Sequence, residues 1–88
     1  MRHARDEALD RLEPVLARLR AFDALQERGR GVFYLKSRAF LHFHEDPAGL
    51  FADVRAANGR DFDRINVDEP AGADALLRRV ASSMPEGS

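Results

Sequence analysis

The chain has 88 residues, no cysteine, and fourteen basic against fifteen acidic groups, which describes one domain without disulfides, thiolate metal sites or thiol nucleophiles. Near-neutral charge leaves no field of one sign to attract a phosphate backbone, so nucleic acid is not an expected partner. Hydrophobic residues make up 44% of the chain, but fourteen of them are alanine, and chains with so few large apolar side chains often gain stability by oligomerising.

The first segment, "MRHARDEALDRLEPVL", carries charges throughout and no apolar run of signal-peptide length, and no stretch approaches the length of a membrane span. A cytoplasmic, soluble protein is expected, with His3 in a mobile terminus. Over residues 4–27 the apolar residues Leu9, Leu12, Val15, Leu16, Leu19, Phe22 and Leu25 recur at spacings of three and four, which predicts an amphipathic helix. Pro14 interrupts it. A proline costs a helix interior roughly 3 kcal/mol but is tolerated in a first turn, so the segment is either kinked or divided into a short helix over 4–12 and a main helix from 13 to 27. "RGRG" at 28–31 ends it, with Gly29 suited to a left-handed cap.

Three strand-like runs follow, "GVFYLK", "AFLHFHE" and "LFADVR", separated by "SR" and "DPAG" and rich in β-branched and aromatic residues. The Asn58-Gly59 pair predicts a turn before a fourth strand, "FDRINV". "DEPAGADALLRRVASSM" opens on acidic residues and Pro70 and sets Leu76, Leu77 and Val80 on one helix face; residues 85–88 are expected to fray. The expectation is a single α+β domain over 1–88: an N-terminal helix, a four-stranded antiparallel meander and a C-terminal helix, α-β-β-β-β-α, with helices on one face.

Register follows from the pleat. A loop over Asp46–Gly49 pairs Glu45 with Leu50, Phe43 with Ala52 and Leu41 with Val54, and gives one wholly apolar face; a slip of one residue would put Asp53 and Arg55 into it. On the other face His42 then opposes Asp53, His44 opposes Phe51 and Phe40 opposes Arg55. His42, His44 and Asp53 are a ligand set that zinc, iron or manganese accepts, and Arg55 adds a group for an anion. As an ordinary polar pair on a half-covered sheet the same residues need no ligand, and Asp46 is expected to shape the turn. No serine sits in a nucleophile elbow, and "RGRG" lacks the spacing of a phosphate-binding loop. Lys36 and Arg38 in "LKSRAF" stand beside aromatics at a hairpin tip, where charge ordinarily serves solubility and otherwise suits an anion or nucleic acid.

The segment "LKSRAFLHFHEDPAGLFADVR" resembles a group of small bacterial α+β proteins that share this hairpin and have no activity attached. More faintly, the helix, sheet and "AFLHF" strand are similar to the MmcQ-like family, labelled DNA-binding, although the basic surface that label implies is lacking here. His42, His44, Ala52 and Asp53 also match an H-x-H…AD pattern of bacterial proteins labelled luciferase-domain.

The function expected from these residues is a non-catalytic homodimeric interaction module without a cofactor, pairing with itself or with another protein. Its interface would be the histidine-bearing face, with Phe33, Leu35, Phe40 and Phe51, unless the segment before Pro14, with Ala4, Ala8, Leu9 and Leu12, folds over that face instead. The alternative is a small metal- or ligand-binding protein, enzymatic or not, that uses His42, His44 and Asp53.

Overall fold

Pro14 divides the N-terminal helical segment in two. In the computed structural model, which describes residues 2–85, α1 spans Asp6–Arg11 and α2 spans Glu13–Arg20. Pro14 stands in the first turn of α2, where no N–H is required; in an unbroken helix it would have had to donate to Asp10. Among the described residues no helix is long and apolar enough to cross a membrane.

The main helix expected to reach residue 27 ends at Arg20. Two tight turns follow, with Phe22 N–H donating to Leu19 O and Leu25 N–H to Phe22 O, so the three-residue spacing that resembled a helix belongs to successive turns. The chain then extends as β2 (Leu25–Glu27) against β3 (Phe33–Leu35). Gly29 and Gly31 have φ of +82° and +78°, so Gly29 is left-handed as expected but turns a hairpin rather than capping a helix. A side chain at Gly31 would also meet Leu9 Cδ2 at 2.7 Å. Around this hairpin Arg20 binds both Glu13 and Glu27, and Arg30 binds Glu13 and Asp10, tying α2 to the strands. The guanidiniums hold the Glu13 and Glu27 carboxyls below the usual carboxylate range.

β4 (Arg38–Asp46), β5 (Gly49–Arg55) and β6 (Phe62–Asn66) continue the sheet, and α3 (Pro70–Ser83) closes the fold. The antiparallel order β2-β3-β4-β5-β6 makes five neighbouring strands, where four were expected. A sixth piece, β1 (Arg2–His3), pairs with the end of β4, His3 opposite His44, and Ala4 N–H donates to Phe43 O. The terminus that carries His3 is thus tied into the sheet. The β4–β5 register is the expected one, with Leu41 opposite Val54, His42 opposite Asp53, Phe43 opposite Ala52 and Glu45 opposite Leu50. Asp46 accepts from Ala48 N–H in the turn, as expected. Asn58 accepts from the Arg60 and Asp61 amides in the next one.

All three helices bury their apolar residues in one cluster with Leu41, Phe43, Ala52 and Val54, each fully buried. Two expectations for the opposite face fail here. The β3–β4 pairing slips around Phe40, so that Phe33 opposes Leu41 while Tyr34 opposes Ala39; the bulge sends Phe40 into the helix-covered core, where it is 4% exposed. Phe33 shares Leu41's face and is also buried, and Leu35 packs against the same cluster. Ala4, Ala8, Leu9 and Leu12 join that core as well, so the segment before Pro14 does not fold over the histidine-bearing face.

α3 sits unusually close to β6 at its start, where a Cβ on Gly72 would stand 2.0 Å from Asn66 O. Alanine is favoured over glycine in a helix by about 1 kcal/mol, whereas overpacking against a backbone atom costs about 1–3 kcal/mol or more. Gly72→Ala is therefore expected to destabilise the protein, read as a lower urea midpoint; a raised midpoint would contradict this packing.

Candidate metal centre

The uncovered sheet face gathers every histidine of the chain. His42 and His44 lie two apart on β4, so both point away from the helices, and their ring centroids are 4.7 Å apart at 78°. His3, exposed on β1, stands edge-on to His44 at 6.5 Å. Asp53, across from His42 on β5, is the one buried charged residue among the described residues.

Asp53 is held by one neighbour and approached by a second. Arg64, its partner on β6, donates from Nε to Oδ1 at 2.9 Å and from Nη2 to Oδ2 at 3.1 Å. His44 Nε2 lies 3.0 Å from Oδ2, so it is the diagonal histidine, rather than His42 directly opposite, that reaches the carboxylate. The oxygen is off the direction of a ring N–H, and neither nitrogen of His44 completes a hydrogen bond although both are buried. Burial opposes ionisation of Asp53, but the bound Arg64 and the neighbouring imidazoles outweigh it and hold the carboxyl below its usual range. The same pair raises Arg64.

His42 is lowered, first by burial and next by His44, against the opposing pull of Asp53. The folded chain therefore takes up this proton less readily than the unfolded chain does. Stability from this group is full above the ordinary imidazole value of 6.5 and falls as pH drops through the lowered value. Thermal unfolding followed from pH 7.5 down to about pH 5 should show this loss, and His42→Gln should flatten it; a stability that rises on acidification would contradict the assignment.

One ligand atom from each of His42, His44 and Asp53 lies within 4.8 Å of the others. Tetrahedral zinc with bonds near 2.0–2.1 Å needs such atoms about 3.4 Å apart, so side-chain rotation of roughly 1 Å closes the set. Arg64 leaves Asp53 lone pairs to offer, since an ionised carboxylate accepts at about four positions. Outer groups that orient a ligating carboxylate in this way are a regular feature of metal sites.

Arg55, read from the sequence as an anion group for this face, is set apart from the histidines. The Phe62 ring stands between them, 5.2 Å from His42 and 4.8 Å from the Arg55 guanidinium. Arg64 went unread in the sequence, and His3 was assigned to a mobile terminus rather than to this face. A signal for Arg64 existed: Ile65 on the apolar face beside Ala52 requires Arg64 to stand beside Asp53. Comparison with family models, curated proteins and solved structures gives no match to this chain.

Proposed function

We propose that the protein binds a divalent transition metal, zinc in the first instance, on His42, His44 and Asp53. The observation that supports this best is the half-buried His44 imidazole, whose two nitrogens are themselves buried and complete no hydrogen bond, with Nε2 3.0 Å from the buried Asp53 carboxylate. Such a group costs stability unless something satisfies it, and neutral imidazole with carboxylate is a donor set that zinc or iron accepts. Three protein ligands leave a coordination position open to solvent or substrate, the pattern of a reactive rather than a closed structural site. Calorimetric titration of tag-free protein with zinc should give one equivalent, lost in His42→Ala with His44→Ala. Absence of saturable binding would remove the reading.

Self-association is a second reading, favoured by Phe62, the exposed large hydrophobic residue among the described residues, and by the half-buried Phe51 on the same uncovered face. With Phe33 and Phe40 in the core, this patch is smaller than the sequence implied.

A further inference from the structure

At the opposite end of the β4–β5 ladder from the Pro47–Ala48 turn, the β3–β4 turn, the β5–β6 loop and the last turns of α3 enclose a cleft of about 540 Å³. Leu35 and Phe40 give it an apolar floor, while Lys36, Arg38, Arg55 and Arg79 supply four cations; among the described residues no carboxylate lines it. Arg79 is matched to Asp63 at 2.8 Å. Arg38 and Arg55 form no such pair among the described residues. Arg38 Nη2 donates to Gly59 O at 2.9 Å, Arg55 Nη1 donates to that same oxygen at 2.7 Å, and Arg55 Nε donates to Ala39 O at 2.7 Å, which leaves the outer N–H groups of Arg55 for a ligand. Two guanidiniums thus converge on a carbonyl dipole that neutralises neither, an arrangement that like-charge repulsion disfavours until an anion joins it.

The backbone of the β3–β4 turn sets where Lys36 stands. Lys36 and Ser37 both lie in the left-handed region, with φ of +53° and +67°, in a two-residue hairpin turn that favours Asn-Gly. A two-residue turn of this kind requires positive φ at both central residues whatever they are, so the strained backbone is built into the hairpin. It fixes Lys36 at the rim of the cleft.

We propose that this cleft binds a small organic phosphate, its dianion held by Arg38, Arg55 and Lys36 and its carbon skeleton laid against Leu35 and Phe40. Arginine forks match phosphate oxygens in pairs, and the apolar floor selects an ester over the free ion. The proposal does not depend on the metal site, from which the Phe62 ring separates Arg55.

Titration of the full chain with phenyl phosphate, inorganic phosphate, phenol and a short single-stranded oligonucleotide tests it. Phenyl phosphate is expected to saturate one site about tenfold more tightly than inorganic phosphate, with no saturation by phenol. Arg38→Gln, at an exposed side chain, should weaken it about tenfold. Lys36→Gly should also weaken it while leaving stability unchanged or raised, because glycine relieves the positive φ. Equal affinity for the two phosphates, preference for the oligonucleotide, or indifference to both substitutions would overturn the proposal.

Discussion

Phe43→Ala is expected to destabilise the protein by about 3–5 kcal/mol, while Phe51→Ala, eight residues further along the same hairpin, costs under about 1 kcal/mol. Phe43 is fully buried beneath α1, with its ring near the position that a side chain on Gly31 would take. Truncation there removes the transfer energy of an aromatic ring and leaves a cavity that three helices cannot close at once. A domain of this size holds about 4–13 kcal/mol in all, so the variant loses from a quarter of its stability to nearly all of it, or roughly 12–40 °C in melting temperature. Phe51 faces the open side and loses only partial burial. Equal effects of the two substitutions in urea unfolding would show that the faces of the hairpin are wrongly assigned.

His44→Phe is expected to stabilise the metal-free protein and to abolish its response to zinc. Phenylalanine keeps the ring and removes two buried nitrogens that complete no hydrogen bond, giving up in exchange only the 3.0 Å approach of Nε2 to Asp53 Oδ2. An unsatisfied buried polar group costs about 1–3 kcal/mol, and replacing it with an apolar group of like shape recovers that cost; Arg64 continues to neutralise Asp53 in the variant. In the unsubstituted protein, zinc at a hundred times its dissociation constant adds about 2.7 kcal/mol, or roughly 11–22 °C in a domain of this size. The variant should melt higher without zinc and show no shift with it. A variant that melts lower without zinc would mean that the imidazole earns its place through Asp53 alone.

The hairpin that builds the site was legible because its polar and apolar residues alternate in only one acceptable register, and that register is observed from Leu41 to Glu45. It also placed Asp53 opposite His42. Which histidine Asp53 reaches was not legible, because strand twist brings diagonal neighbours within reach as readily as direct ones. Phe33 and Phe40 were misplaced by a single bulge, which no hydrophobic pattern marks. Phe22 and Leu25 carried a helical spacing that successive tight turns satisfy equally well. His3 was unreadable for a different reason: two residues of strand leave no periodicity, and β1 is held by backbone pairing to β4.

The most direct test of the proposed metal site is X-ray absorption on zinc-loaded, tag-free protein. The proposed site predicts one zinc per chain, coordinated by nitrogen and oxygen only, with the scattering signature of two imidazoles that disappears in the His42→Ala, His44→Ala variant. Zinc at well under one equivalent, or a spectrum without imidazole scattering, would contradict it.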